Sequence, residues 1–240
     1  MQRQFQKLQR RLESRLSSKG LPGLYVSLAL LVLIAAAWVF GTIAYYAVTN
    51  HRVTVVDTCV SAWVQSHATS PLTRIMIAIT QLHSTASITI MTLGICAYFW
   101  LKRLHYWVLT LLLAVFGGMF LNFLLKNLFL LPRPHFKSPL LTFTGYGFPS
   151  GHTMGATVLY GALSVCVVTR ARTRLWHVLV IVLAISMIGL VGFSRIFLGA
   201  HYLSDVLAAI AEGLAWLAVC IITVETIKRL HDRNTIHQSR

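Results

Sequence analysis

The sequence predicts an all-α, polytopic membrane protein with six transmembrane helices and a short extracytoplasmic helical region. Three observations lead to this fold class: the low charge, the length of the apolar runs and the distribution of basic residues. Of the 240 residues, 56% are hydrophobic and only 11% are charged, and the mean hydropathy is +0.70. A soluble domain normally carries about a quarter charged residues. The composition therefore argues against a soluble globular fold.

Six apolar runs approach the length of about 20 residues that is needed to cross the hydrocarbon core. They cover approximately 24–48, 84–101, 106–131, 153–169, 176–196 and 202–226. The first run is too long for a cleaved signal peptide. In the connection 49–83, valines recur at helical spacing and predict short helices on the outer surface, which Pro71 interrupts. These valines are Val53, Val56, Val60 and Val64.

Basic residues at both ends of the chain predict its orientation. We expect a basic cytoplasmic segment at 1–20, either lying on lipid or frayed, a six-span domain at 21–227, and a basic cytoplasmic tail at 228–240. With both termini inside, the inner segments hold fifteen of the twenty-one Lys and Arg residues, in agreement with the positive-inside rule. The net charge of +15 then indicates anionic lipid at the cytoplasmic face rather than nucleic acid. The lack of an Asn-x-Ser/Thr sequon agrees with a bacterial inner membrane.

Polar residues gather at the extracytoplasmic ends of four predicted spans. They are Lys126 and Arg133 after the third span, Ser150, Gly151 and His152 at the start of the fourth, Arg195 at the end of the fifth, and His201 and Asp205 at the start of the sixth. Ionisable residues at such positions are functional candidates. We therefore expect one site on the outer membrane face.

Several of these residues are suited to binding an anion. Ser150 and Gly151 precede a helix start, where backbone N–H groups and the helix dipole favour negative charge. Glycine also lets the backbone approach an oxyanion closely. Lys126, Arg133 and Arg195 supply three cations of the kind that stabilise a transferring phosphoryl group. The pattern predicts a phosphate site.

The spacing of His201 and Asp205 indicates a nucleophile and the group that orients it. Four residues apart on a helix, the two side chains lie on one face. The carboxylate can hold one imidazole nitrogen as a donor, which leaves the other nitrogen free to attack. With His152 they could also form a metal ligand set, but three cations against one nearby carboxylate would repel a divalent cation. We predict neither a metal nor a cofactor.

At these residues the chain resembles the type 2 phosphatidic acid phosphatase family. Its three signatures are complete and in order within approximately 50–225, as Lys126-x6-Arg133-Pro134, Pro149-Ser150-Gly151-His152 and Ser194-Arg195-x5-His201-x3-Asp205. The resemblance implies a covalent phosphohistidine on His201, with Asp205 as its partner and His152 as general acid. It also implies phosphate binding by Lys126, Arg133, Ser150, Gly151 and Arg195. The small six-span build is similar to bacterial members that act on undecaprenyl pyrophosphate or phosphatidylglycerophosphate, so a membrane lipid phosphate is the implied substrate.

Two other functions use the same residues. A phosphotransferase would pass the phosphoryl group to a second lipid instead of water, and this alternative stays open. An anion transporter predicts charges or broken helices near the middle of the membrane, whereas this site lies at one end. Behind the site, Glu212 is either a supporting residue or a buried structural hydrogen-bonding group. His83 and His135 either line the mouth of the site or have no role.

Overall fold

The computed structural model describes residues 21–49, 51–134 and 145–238, and the predicted segment 1–20 lies outside these ranges. The described chain is almost entirely helical and has no strand, so the all-α class is confirmed. Its helices are α1 (Leu21–Thr49), α2 (His51–Ser66), α3 (Ser70–Leu82), α4 (Thr85–Leu101), α5 (His105–Leu112), α6 (Gly118–Phe129), α7 (Gly151–Arg170), α8 (Arg174–Phe197) and α9 (Leu203–Gln238). A π-helical turn at Leu113–Gly117 joins α5 to α6. Since α9 runs on to Gln238, the predicted tail begins as part of the last helix.

Five helical segments are long and apolar enough to cross a membrane by themselves. They are Val26–Thr49, His105–Phe129, Gly151–Arg170, Arg174–Phe197 and Leu203–Asp232. A sixth crossing is obtained if α3 and α4, which are bent by 52° at a short break, count as one span. Alone, α4 has 17 residues, about 25 Å of helix against a core of about 30 Å. The polytopic prediction is confirmed, with five continuous candidate spans and a sixth only if α3 and α4 together form one.

Large apolar side chains cover the outside of the bundle. Trp38 is 72% exposed and Trp100 is 61% exposed, as expected for residues that face lipid. Helix contacts inside the bundle use small residues instead, such as the fully buried Ala114, Ala156 and Ala208. Small residues let membrane helices approach closely. The exposed surface is therefore the one that contacts lipid tails.

The π-helical turn is packed against α9. A β-carbon at Gly117 would lie 2.6 Å from the Trp216 ring, so only glycine permits this approach. The Trp216 indole N–H donates to the carbonyl oxygen of Leu113, at 3.0 Å. Gly117 and Gly118 therefore both allow the Trp216 ring to approach the turn closely. Trp216 itself lies within the bundle, in contrast to the two exposed tryptophans.

The helices α2 and α3 lie across the ends of α8 and α9. Val60 and Val64 of α2 join an apolar cluster with Phe197 at the end of α8 and Leu198 just after it, whereas Val56 is exposed. The predicted short helices at 49–83 are thus present, although only part of the valine pattern is buried. Pro71 lies in the first turn of α3, a position where its missing N–H costs nothing.

Candidate active site

Four helix ends meet at one end of the bundle, which we call the site end. Here α6 and α8 end, and α7 and α9 begin. The contacts between them are direct: the Ser150 N–H donates to the Asp205 carbonyl oxygen at 3.1 Å. The Arg133 guanidinium, from the connection after α6, reaches the imidazole of His201. The structure therefore brings the predicted site residues together from four separate segments.

His201 lies just before α9, and Asp205 lies in the first turn of that helix. The His201 Nδ1 is 3.3 Å from the Asp205 Oδ2. Because an ionised carboxylate only accepts hydrogen bonds, this contact assigns the proton to Nδ1 and leaves the lone pair on Nε2. The same Oδ2 accepts the N–H of Tyr202 at 2.9 Å, so the backbone fixes the carboxylate. The two side chains are in contact, as their spacing predicts; their catalytic roles remain predictions.

The surroundings of His201 keep its imidazole neutral. Its side chain is only 2% exposed. Burial, followed by the charges of neighbouring cations, holds the pKa of His201 well below its usual range. These cations are Lys126, Arg195 and Arg133. A neutral imidazole with a free lone pair is the form that can act as a nucleophile.

Backbone carbonyls hold Lys126 and Arg133 in place. The Lys126 Nζ donates to the Tyr146 oxygen at 3.0 Å. The Arg133 Nε donates to Gly145 at 3.2 Å, and its NH1 donates to Ala200 at 3.0 Å. The same NH1 lies 3.3 Å from the His201 Nε2. Arg133 therefore lies against the imidazole nitrogen that carries the lone pair, and Lys126 is within electrostatic range of the same side chain.

Arg195 approaches from the end of α8. Its side chain is almost fully buried, and its NH1 donates to the hydroxyl of Thr80 on α3. The preceding Ser194 bonds its own helix, through the Val191 oxygen at 2.7 Å. Of this signature pair, only the arginine has a long-range contact at the site end.

The start of α7 supplies backbone donors, but fewer than the sequence suggests. The Ser150 N–H is bonded to Asp205, and the Ser150 hydroxyl lies 3.0 Å from that of Thr153. The first N–H groups of a helix have no partner within it, so the described donors that remain are those of Gly151, His152 and Thr153. A β-carbon at Gly151 would lie 3.1 Å from the Asn122 Oδ1. Glycine here also allows α6 to pack against α7.

His152 is the second residue of α7 and is half-buried. It lies within electrostatic range of Arg195 and His201. Its ring makes no hydrogen bond to any residue that the structure describes. The imidazole therefore lies within electrostatic range of His201, and neither ring nitrogen is hydrogen-bonded in the described part of the chain.

Two further polar groups flagged in the sequence are buried and hydrogen-bonded. The Asn122 Nδ2 donates to the Glu212 Oε2 at 2.9 Å, and Asn122 lies against Gly151, so Glu212 forms a buried hydrogen bond and its support of the site stays a prediction. His83 bonds the Ile79 oxygen at 2.8 Å and the Tyr160 hydroxyl at 2.7 Å. It is buried and does not line the mouth of the site. His135 lies outside the described residues.

Sequence reasoning missed two polar contacts from α2 and α3. Asp57 accepts hydrogen bonds from Ser204 at the start of α9, and Thr80 accepts one from Arg195. A signal for Asp57 was present, because it lies seven residues before the buried Val64 and shares its helical face. Thr80 offered no such signal, since a hydroxyl on an apolar helix ordinarily bonds its own backbone.

The described part of the site offers few ligands for a metal ion. Within the described ranges, no three His, Cys, Asp or Glu side chains converge into a possible metal site. His201 and Asp205 are surrounded by cations that would oppose a divalent ion. Metal independence remains a prediction.

The chain is similar to several known proteins. A family model described as PAP2 superfamily matches residues 107–229, about half of the chain, and this range contains every predicted site residue. Phosphatidylglycerophosphatase B of Bacillus subtilis is 31% identical over 166 residues, which cover 68% of this chain and 80% of the relative. Undecaprenyl-diphosphatase BcrC of the same organism is 31% identical over 158 residues, which cover 62% and 73%. The crystal structure of a transmembrane PAP2 type phosphatidylglycerolphosphate phosphatase from Bacillus subtilis matches with a TM-score of 0.72 at 28% identity, covering 78% of this chain and 93% of that one.

Proposed function

The chain belongs to the PAP2 superfamily, and we propose that it is an integral membrane lipid phosphatase that works through a phosphohistidine on His201. The observation that carries the proposal is the position of this imidazole. One nitrogen is held by Asp205, and the other faces Arg133. That arrangement suits attack on a phosphoryl group whose oxygens are bound by cations.

Substrate binding uses the positive charge at the site end. Lys126, Arg133 and Arg195 bind the non-bridging oxygens of the terminal phosphate, together with the N–H groups at the start of α7 and the hydroxyl of Ser150. Three cations provide the charge stabilisation that a metal ion supplies in other phosphoryl-transfer enzymes. The proposed reaction needs no metal and no cofactor.

In the first step, the His201 Nε2 attacks phosphorus. An N–P bond forms as the bond between phosphorus and the bridging oxygen breaks, and the electron pair goes to that oxygen. His152 gives the departing oxygen a proton. Asp205 stabilises the positive charge that the imidazole gains, since its carboxylate is already in contact with Nδ1.

In the second step, water attacks the phosphohistidine. Neutral His152 takes a proton from the water as the new O–P bond forms and the N–P bond breaks. The electron pair of the N–P bond returns to Nε2, which restores His201. Inorganic phosphate leaves, and His152 is again protonated for the next cycle.

The relatives and the membrane spans support a lipid substrate. One relative is named for phosphatidylglycerophosphate and another for undecaprenyl diphosphate. We propose that this chain acts on one of these lipids or a related lipid phosphate or pyrophosphate. The site lies at one end of the spans, where a headgroup is accessible while its tail remains in the bilayer.

The site end is proposed to be extracytoplasmic, in a bacterial inner membrane. The positive-inside rule supports this orientation, because fifteen of twenty-one Lys and Arg residues lie in the segments assigned to the cytoplasm. Both termini are then cytoplasmic, where their positive charge can contact anionic lipid.

The function is tested by measuring phosphate release from a panel of lipid phosphates and pyrophosphates in detergent micelles. Purified protein should release inorganic phosphate and form an acid-labile, alkali-stable phosphoenzyme with radiolabelled substrate. His201→Ala should abolish both signals, and His177→Ala, at the other end of α8, should abolish neither. Transfer of the label to an added acceptor lipid in preference to water would support the phosphotransferase instead. Phosphate release by wild type without any phosphoenzyme would refute the covalent mechanism.

A further inference from the structure

Two short helices that precede the family-matched range contact the machinery of the proposed reaction. The match begins at Trp107, whereas α2 and α3 end at residues 66 and 82. Each helix sends one buried polar side chain to the site end. These side chains are Asp57 and Thr80.

Asp57 is bonded to the start of α9. Its Oδ1 accepts the Ser204 N–H at 2.9 Å, and its Oδ2 accepts the Ser204 hydroxyl. Both residues are buried, and 147 positions separate them in the chain. Burial raises the pKa of Asp57, and the two bonds from Ser204 oppose this rise because they favour the carboxylate.

This contact completes the cap of the helix that carries the nucleophile and its partner. The first N–H groups of a helix need acceptors from outside the helix ladder. A Ser, Thr, Asp or Asn before the helix usually supplies one, but Tyr202 stands at that position and has no suitable side chain. Asp205 accepts the Tyr202 N–H, and Asp57 accepts the Ser204 N–H. The turn between His201 and Asp205 is therefore fixed by two carboxylates, one of them from α2.

Thr80 contacts the phosphate-binding Arg195 in the way that Asp57 contacts the start of α9. Its hydroxyl accepts a hydrogen bond from the Arg195 NH1. Arg195 is almost fully buried, so the direction of its guanidinium is set by such contacts rather than by solvent. Threonine and arginine are 115 positions apart, which makes this a tertiary contact between α3 and α8.

We propose that α2 and α3 are positioning elements of the active site, with Asp57 aligning the nucleophile and Thr80 aligning the phosphate-binding Arg195. This inference rests on the proposed function. It predicts two different kinetic signatures, because one contact serves the attacking group and the other serves the bound anion. Asp57 affects kcat, and Thr80 affects KM and the affinity for inorganic phosphate.

The Asp57 arm compares Asp57→Ala with Asp57→Asn in the full-length protein. Asn keeps an acceptor for the Ser204 N–H and a donor for the Ser204 oxygen, so it should retain most of the activity. Ala should lower kcat and the phosphoenzyme burst rate on the order of 10–100-fold, the range that a misplaced reactive group can cost. The inhibition constant for inorganic phosphate should stay within about twofold of wild type, because Asp57 positions the attacking group and not the residues that bind phosphate. Glu225→Ala, which removes a carboxylate at the other end of α9, is the matched control and should leave kcat unchanged.

The Thr80 arm compares Thr80→Val with Thr80→Ser. Valine removes the acceptor for Arg195 with little change in volume, and it should raise KM and the phosphate inhibition constant roughly fivefold to tenfold. Serine restores the hydroxyl and should rescue both constants. Thr73→Val is the control on the same helix, because the Thr73 hydroxyl bonds only the Thr69 oxygen of its own chain segment.

The outcomes separate this inference from the proposed function. An inactive wild type on every lipid phosphate would refute the proposed function itself. An active wild type with equal kcat in Asp57→Ala, or with equal losses in Asp57→Ala and Asp57→Asn, would overturn the assignment of Asp57. If Asp57→Ala fails to fold, Asp57→Ser tests the same contact, because its shorter side chain withdraws the acceptor from the Ser204 N–H, and an unchanged burst rate would overturn it. An unchanged phosphate inhibition constant in Thr80→Val would overturn the assignment of Thr80.

Discussion

Replacing Asp205 by Asn should separate its charge from its hydrogen bonds. A single oxygen, Oδ2, accepts both from His201 and from the Tyr202 N–H. The amide oxygen of Asn can occupy that place, so the variant keeps both bonds and loses only the negative charge. The tautomer and the direction of the imidazole are then retained while the stabilisation of the phosphohistidine is reduced.

The size of the effect follows from the contact distance. Unit charges 3.3 Å apart attract by about 5 kcal/mol at an effective dielectric constant of about 20. The imidazole carries only part of its final charge at the transition state, so about half of this energy, roughly 2–3 kcal/mol, is lost from the barrier. Since about 1.4 kcal/mol corresponds to tenfold in rate, Asp205→Asn should slow phosphoenzyme formation on the order of 10²-fold.

Rapid-quench measurement of the phosphoenzyme burst is the assay. Asp205→Ala is the companion variant, because it also leaves the Tyr202 N–H without an acceptor. It should lose more activity than Asn and lower the free energy of unfolding by about 1–3 kcal/mol. A burst rate of Asp205→Asn within about twofold of wild type, far from the expected 10²-fold, would refute the charge-stabilising role.

Three further predictions concern His152 as general acid, independence from metal ions and the orientation of the protein in the membrane. His152→Ala should lose about 10²–10⁴-fold in burst rate on an alkyl phosphate but much less on nitrophenyl phosphate, whose leaving group needs no proton; equal losses would remove the general-acid role. Activity should survive strong chelation and be inhibited by vanadate, and a loss that added Mg²⁺ or Zn²⁺ restores would refute metal independence. In a Cys59→Ser background, cysteine introduced at Ser138, which lies outside the described residues, should react with an impermeant thiol reagent in intact cells, whereas cysteine at the exposed Arg172 should react only after permeabilisation. The reverse pattern would overturn the proposed topology.

The sequence predicted the spans and the set of converging residues because both depend on local sequence patterns. Apolar length identifies a span, and the four-residue spacing of His201 and Asp205 places them on one helical face. Whether a backbone N–H is already hydrogen-bonded in the folded protein is not visible in the local sequence. The Ser150 N–H was expected to be available to an anion, yet it is bonded to Asp205, 55 positions away.

The sequence did not predict which polar side chains of different helices are hydrogen-bonded to each other. The Thr80 hydroxyl bonds Arg195 of another helix, although threonine in an apolar helix usually bonds the preceding turn. Glu212 was expected either to support the site or to form a buried structural hydrogen bond, but the sequence did not indicate that its partner would be Asn122 on a different helix. The choice of partner depends on how the helices pack, which the spacing within one helix does not determine.

The π-helical turn at 113–117 sets the helical phase of everything that follows it up to Phe129. Each residue of an α-helix advances the phase by about 100°, and a π-helical turn holds one residue more than an α-helical turn. The turn therefore acts as a one-residue insertion that leaves the length of the span almost unchanged. Deleting one residue there would let a regular helix close and would rotate Lys126 by about 100°, away from the Tyr146 carbonyl that it now contacts. In an alignment of relatives, a single gap in this turn would mark a change in the direction of that lysine rather than a shorter helix.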